Sequence, residues 1–309
     1  MSELQETGPS AAVRQLLDRV PSLRGAREIR SLPGGLTNQN FRVVTAAGAF
    51  VARIWSDGGA LLGIDRDREH HNSVIAAAAG VGAPVIEYLP RDHVLVLGYI
   101  DGKTLGNADV GDPAMIPRIA AACRVLHGAE RFAGDFDMFE IQASYYATAT
   151  KAGMRIPAGY EDLGAQFAAA RAALAVRDEG TVPCNNDLLA ANFIDDGQRI
   201  WLIDYEYSGN NDPCFELGNI AGECGLDADG LAALVTAYYG RPRRSRIARA
   251  ELFGLVSRYG WALWGAIQHA TSDLDADFWS WGMERFEAAA AGFTSPDFDR
   301  LLTDVQELD

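Results

Sequence analysis

The spacing of apolar and polar positions changes character along the chain. Residues 11–19 place apolar side chains at helical spacing behind Ser10 and stop before Pro21, which predicts a short N-terminal helix. From Arg27 to about Tyr99 the texture is strand-like. Runs at 41–45 and 49–55 flank Ala46-Ala47-Gly48 and predict a hairpin, and runs at 85–88 and 93–99 flank the turn Pro90-Arg91-Asp92. Between the two pairs, residues 64–79 read as a charged helix that stops at Gly80-Val81-Gly82 with Pro84 close behind.

Beyond Asp101-Gly102-Lys103 an alanine-rich helical texture takes over, predicting helices at 114–127, 144–151 and 160–177, then from residue 215 onward, notably 248–270 and 275–290. Residues 181–204 interrupt it with a polar loop and two short β-type segments at 192–194 and 200–203. The expectation is an α+β chain of two lobes. Residues 1–99 form a small lobe with an antiparallel sheet, residues 100–309 a larger and mainly helical lobe, and a hinge lies near 98–103.

Composition narrows the partners. The 309 residues carry 27 Lys+Arg against 42 Asp+Glu, a net charge of −15, which argues against a nucleic-acid-coating surface and suits a cationic ligand. A hydrophobic share of 48% is that of a globular protein rather than a disordered one. No run approaches the roughly 18 apolar residues of a membrane span, so no membrane insertion is expected. The N-terminal stretch lacks a basic region followed by an apolar core, as a secretory signal would have. Cys123, Cys184, Cys214 and Cys224 form no CxxC pair and read as reduced thiols of a cytoplasmic protein.

The strongest chemical signal is Asp187-Leu-Leu-Ala-Ala-Asn192 followed by Ile203-Asp204-Tyr205-Glu206. Phosphoryl transfer needs a carboxylate to accept the attacking hydroxyl's hydrogen bond. It also needs hard oxygen ligands, an Asn and a second carboxylate, to hold Mg²⁺ on the triphosphate. A five-residue step followed by a strand can deliver all three to one cleft, although such a pattern alone also fits a solvated turn. Three upstream elements stand in matching order. Leu32-Pro-Gly-Gly-Leu-Thr-Asn-Gln-Asn40 offers Gly34 and Gly35 for close phosphate approach and Thr37, Asn38 and Asn40 as donors. Arg53 lies on the second strand of the hairpin, where its fork can reach phosphates. Glu69, in the charged opening of the following helix, can pair with Arg53.

With these segments colinear over about residues 32–219 (GGLTNQN, VARIW, IDRDRE, CNNDLLAANF and IDYEYSGNNDPCFELGN), the chain resembles the choline/ethanolamine kinase family within the aminoglycoside-phosphotransferase-like kinases. The resemblance implies a protein-kinase-like two-lobe fold and ATP- and Mg²⁺-dependent phosphorylation of a small alcohol. It implies Asp187 as catalytic base, Asn192 and Asp204 as metal ligands with Glu206 near the metal or substrate, and Arg53 with Glu69 as a phosphate clamp. Asn185 departs from the histidine usual two residues before the catalytic Asp. That histidine is a scaffold for the metal-binding turn, so retained but weakened activity is expected. A pseudokinase acting as a nucleotide- or ligand-binding module is the alternative of a different class.

The acceptor is read from aromatic spacing. Trp261 and Trp264 share a helix face, and Trp281 precedes Arg285-Phe286 on the next helix. This pattern resembles the choline-pocket segment of choline kinases, and a quaternary ammonium is held by aromatic faces. Tyr207 and Glu223 are further candidates for the pocket, and the same tryptophans at helical spacing would equally pack a core. Choline is the expected acceptor. Ethanolamine, an aminoglycoside or another small alcohol are alternatives, and a second copy of the chain, as a homodimer, is a candidate partner. His127 is expected to cap its helix, His70 and His71 to be exposed, and His269 is a lesser candidate for the pocket.

Overall fold

The computed structural model of the chain describes residues 9–25, 28–178 and 180–309; Arg27, where the strand-rich texture begins, lies outside them. Helix α1 (Ala11–Arg19) starts where the Ser10 hydroxyl accepts from the Val13 amide. Its buried Leu17 joins Val20 and Leu23 against Phe41, Val43, Ala52, Val94 and Val96, the apolar face of the first sheet. That sheet contains β1 (Glu28–Leu32), β2 (Asn38–Thr45), β3 (Gly48–Trp55), β4 (Val85–Leu89) and β5 (Val94–Gly98), all antiparallel, in the order β1-β2-β3-β5-β4. Register sets Arg53 of β3 opposite Asn40 of β2 on one side and Leu95 of β5 on the other.

Between the two hairpins runs α2 (Arg66–Ala78), two residues shorter at its start than the sequence suggests. The reason is local: the Asp65 carboxylate accepts from the Arg68 amide and takes the cap position. Glu69 therefore falls in the first turn, and it is buried against β3.

The remainder is built mostly of helices. A short β6 (Lys103–Thr104) leads into α3 (Asn107–Val110), α4 (Ile116–His127), α5 (Met138–Lys151) and α6 (Gly164–Ala175). Then β7 (Val182–Cys184), β8 (Phe193–Asp195), β9 (Ile200–Leu202) and β10 (Gly209–Asn211) form two small sheets, β6-β8-β9 and β10-β7. Helices α7 (Pro213–Cys224), α8 (Ala228–Tyr239), α9 (Arg244–Thr271), α10 (Phe278–Phe293) and α11 (Phe298–Asp304) complete the chain. The large core surrounds α9, which buries most of its length, and extends to Ile75 and Ala76 of α2 and to Val81 just after it. The Leu202 amide donates to the Val81 carbonyl, tying the two halves behind the cleft.

Several boundaries differ from the expected ones for identifiable reasons. Helix α5 begins at Met138, not 144, because Asp137 accepts from the Phe139 amide and caps it. Helix α6 begins at Gly164, not 160, because Tyr160 turns inward and stacks on Tyr259, centroids 4.1 Å apart. The β7 and β10 strands are three residues each, too short to show a period of two. Where α10 crosses α9, Gly265 faces Gly282. A Cβ on Gly265 would meet the Gly282 Cα at 2.8 Å, and one on Gly282 would meet the Ala262 carbonyl oxygen at 2.9 Å. This approach lets Trp281 reach Trp264. Among the described residues no helix is long and apolar enough to cross a membrane.

Candidate active site

Asp187 and Asn192 sit on the segment between β7 and β8, and Asp204 lies two residues beyond the end of β9. The loop is shaped by side chains. Asn186 and Asp204 have φ of 69° and 66°, a left-handed conformation that Asn and Asp tolerate better than most residues. Glu216 of α7 accepts the backbone amides of Asn185 at 3.1 Å and Asn186 at 2.6 Å. The Asn186 side chain donates to the Tyr207 carbonyl at 3.1 Å, and the Leu188 amide donates to Asn219 at 3.1 Å. Asn185 Nδ2 donates to the carbonyls of Ile203 at 3.1 Å and Asp204 at 2.8 Å, while its Oδ1 accepts from the Asp187 amide. Asn185 thus bonds both turns, the scaffold task that the resemblance gives to a histidine.

His127 does not cap its helix. It is buried, with Nε2 3.3 Å from Glu216 and Nδ1 2.8 Å from the Tyr238 hydroxyl. Cys184 Sγ lies 3.6 Å from the same Nε2, so His127, Cys184 and Glu216 are close enough to ring a metal ion. Both Glu216 oxygens are already taken by loop amides, and the cluster acts as a brace for the loop.

From the sheet side, buried Arg53 donates to Glu69 at 2.5 Å and to Asp204. Arg66 donates to Glu69 at 2.6 Å and to Glu206 at 3.2 Å. The Thr37 hydroxyl, at 2.8 Å, and Asn38 Nδ2, at 2.9 Å, also reach the Glu206 carboxylate. In this conformation Glu206 fastens the glycine loop to the larger half of the molecule. Gly34 and Gly35 have φ of +83° and +93°, and a Cβ on Gly35 would sit 2.5 Å from the Asn38 carbonyl oxygen. Gln268 of α9 donates to the Leu36 carbonyl at 2.9 Å, a second tie across the cleft.

Burial, with the carboxylates of Asp204, Glu223 and Glu206 nearby, raises the Asp187 carboxyl well above the usual range, against a smaller opposing pull from Arg285. Burial and Asp204 push Glu206 up to about 7. Burial disfavours the Arg53 charge, but Asp204, Glu69 and Glu206 outweigh it and raise its pKa. Asp204 Oδ1 is buried with no hydrogen-bond partner. Asn192 Nδ2 donates to the Asp187 carbonyl at 2.7 Å, so its amide oxygen is the end left for a ligand role. An orphaned carboxylate oxygen, an amide oxygen and surplus negative charge fit a hard divalent cation.

A cavity of about 220 Å³ joins these groups to the tryptophans. The glycine loop contributes Gly34, Gly35, Thr37 and Asn40, and the β7–β8 loop and the β9 end contribute Asp187, Asn192, Asp204 and Glu206. Tyr207, Trp261, Trp264 and Trp281 line the same space. Trp264 Nε1 donates to the Tyr207 hydroxyl at 2.7 Å, and the Trp264 and Trp281 rings lie 5.0 Å apart. Arg53, Glu69 and Asn38 act from behind this lining.

Glu223 is outside the lining, its side chain buried, with both oxygens engaged by Arg285, whose Nε lies at 3.1 Å. His269 is exposed against Trp279 and away from the cavity; His71 is exposed, and His70 is half-buried, stacked on Tyr88 at 4.2 Å. Sequence reasoning missed Arg66, Glu216, Gln268 and the pairing of Arg285. Glu216 stood in the DPCFELGN segment, but nothing in spacing marks which of its groups turns inward.

Three comparisons bear on this arrangement. A family model described as the phosphotransferase enzyme family matches residues 28–250. The chain is 28% identical over 271 residues to ethanolamine kinase 2 of Mus musculus, covering 76% of this chain and 68% of that one. A solved structure of a choline/ethanolamine kinase family protein from Mesorhizobium loti superposes with a TM-score of 0.82 at 31% identity, covering 96% of this chain and 98% of that one. The choline kinase LicA of Streptococcus pneumoniae shares the fold, with a TM-score of 0.77 at 24% identity over 91% of this chain and 98% of that one. With its kinase-like two-lobe α+β fold, the chain belongs to the choline/ethanolamine kinase family, whose members are phosphotransferases with an alcohol group as acceptor.

Proposed function

We propose that this protein transfers the γ-phosphoryl group of ATP to the hydroxyl of choline, with Asp187 as the base. The observation that carries the reading is the shared cavity: Asp187, Asn192 and Asp204 line the same space as Trp261, Trp264, Trp281 and Tyr207. The glycine loop and Arg53 receive the phosphates, and Glu69 holds Arg53 in place. Asn192 and Asp204, with Glu206 beside them, would hold Mg²⁺, which when bound offsets the charge of the triphosphate. Asp187 accepts the hydroxyl proton as the new oxygen–phosphorus bond forms and the bond to the ADP oxygen breaks. Burial and the neighbouring carboxylates raise its pKa, so it holds a proton more readily than an ordinary carboxylate.

The cage favours a quaternary ammonium. Tyr207, Trp261, Trp264 and Trp281 supply its aromatic wall, and the Tyr207 hydroxyl accepts from Trp264. We place the boundary between nucleotide and acceptor lobes at residue 99, just after β5. Four buried free thiols among the described residues suit a reducing cytoplasm. Ethanolamine is the second reading, favoured by the kinship with the mouse protein. Initial rates of ADP release with choline, ethanolamine and an aminoglycoside test the choice. Choline should give a kcat/KM roughly tenfold or more above ethanolamine. A preference for ethanolamine, or turnover of the aminoglycoside alone, overturns it.

A further inference from the structure

Arg42 is an arginine of the first sheet with no partner of its own, and its use rests on the nucleotide reading above. Along β2, Phe41 and Val43 face the core under α1, so Asn40, Arg42 and Val44 face the other way, the side on which Asn40 lines the cavity. Register builds rows across this face. Asn40 lies beside Arg53 and then Leu95, Arg42 beside Val51 and then Leu97, and Val44 beside Ala49, whose carbonyl accepts from the Tyr99 amide. Successive rows are about 7 Å apart. The Arg42 guanidinium leans away from the Arg53 row and lies over the Tyr99 ring, 4.7 Å from its centroid. The other arginines of the site each hold carboxylates: Arg53 holds Glu69 and Asp204, and Arg66 holds Glu69 and Glu206. Arg42 pairs with no carboxylate among the described residues, and its cross-strand neighbour Arg30 already holds Glu28. Its Nε is buried without a hydrogen-bond partner, an unfavourable state that a ligand in the cleft would relieve.

We infer that Arg42 binds the nucleoside half of the phosphoryl donor, its guanidinium plane covering the base while Val51 and Leu97 complete the roof. The acceptor cavity lies on the glycine-loop side of Arg53, so a nucleotide whose phosphates meet Arg53 extends the opposite way, under the rows of Arg42 and Tyr99. Val51 and Leu97 are only partly buried there, an apolar surface of the kind a flat ring covers. A guanidinium backed by Tyr99 stacks on the face of a base as well as offering it N–H donors. Arg42 adds affinity for the base, and Arg53 remains the cation for the phosphates.

Arg42→Met tests this through the Kd values of Mg·ATP, of adenosine and of inorganic tripolyphosphate with Mg²⁺, the last two measured by competition against Mg·ATP. The Kd of Mg·ATP and that of adenosine should each rise roughly tenfold, while tripolyphosphate binds as it does to the wild type. Choline KM at saturating Mg·ATP should stay within about twofold, since Arg42 lies away from the acceptor cavity. Arg42→Gln, which keeps a polar side chain on the strand, should give the same pattern and serves where the Met variant folds poorly. An unchanged adenosine Kd in a folded variant overturns the inference. Weakened tripolyphosphate binding also overturns it, because Arg42 would then be a phosphate ligand. A wild-type protein that binds no Mg·ATP would instead sink the nucleotide reading, so the two failures are separable.

Discussion

The Asp187 carboxylate shares its neighbourhood with Asp204, Glu206 and Glu223, and folding brings these like charges together. A carboxyl whose pKa is raised on folding favours the native state below its unfolded value, and that advantage is lost as pH rises through the folded value. Asp187→Asn should therefore raise Tm by a few degrees near pH 7.5, with the gain fading toward pH 4, while kcat falls by about 10³-fold or more. Calorimetry at the two pH values together with ADP release checks both halves; a lower Tm or retained turnover contradicts the assignment. The same shift sets the pH profile. Acceptor kcat/KM should fall as pH drops through an apparent pKa above the ordinary carboxylate range, because in the proposed role only ionised Asp187 accepts the proton. Asn185 is the other decisive residue. Removing its amide in Asn185→Ala releases the carbonyls of Ile203 and Asp204, where the chain is left-handed. The Mg²⁺ concentration for half-maximal rate should rise about tenfold, and Asn185→His should restore it. An unaltered Mg²⁺ requirement in Asn185→Ala would remove the scaffold role.

At the scale of elements, the proposed cage depends on how closely α9 and α10 approach. Gly282→Ala adds a Cβ 2.9 Å from the Ala262 carbonyl oxygen, which the helices relieve only by parting. Such overpacking costs about 1–3 kcal/mol and moves Trp281 off Trp264. Choline KM should rise severalfold with ATP KM unchanged, and a lower Tm with both KM values intact would show that the helix contact does not shape the pocket. The contact also shows which elements could be read in advance. Long runs such as α9 and the β2–β3 hairpin declare themselves, because their periods repeat over eight residues or more. The Asp187, Asn192 and Asp204 set and the Arg53–Glu69 pair were legible because spacing and order constrain them. The ties of Glu216 to the loop and of Arg285 to Glu223 were not, because they join residues 30 to 62 positions apart that no local pattern connects.

Across the whole molecule, the two halves meet at the glycine loop, which is held by Glu206 through Thr37 and Asn38 and by Gln268 through Leu36. Groups from both sides line the cavity, so a ligand bound there stabilises the native state as a unit. Mg·ATP at 100 times its Kd should add about 2.7 kcal/mol and raise the single unfolding transition by several degrees. Two separate transitions with only one of them shifted would contradict the shared site.

The central claim is direct transfer from ATP to choline within that one cavity, and phosphorus NMR of the purified protein with ATP, Mg²⁺ and choline tests it most directly. The account predicts a phosphocholine signal growing one-for-one with loss of the γ-phosphate signal, and none with Asp187→Asn. Loss of γ-phosphate to inorganic phosphate alone, or an unchanged spectrum, would contradict it.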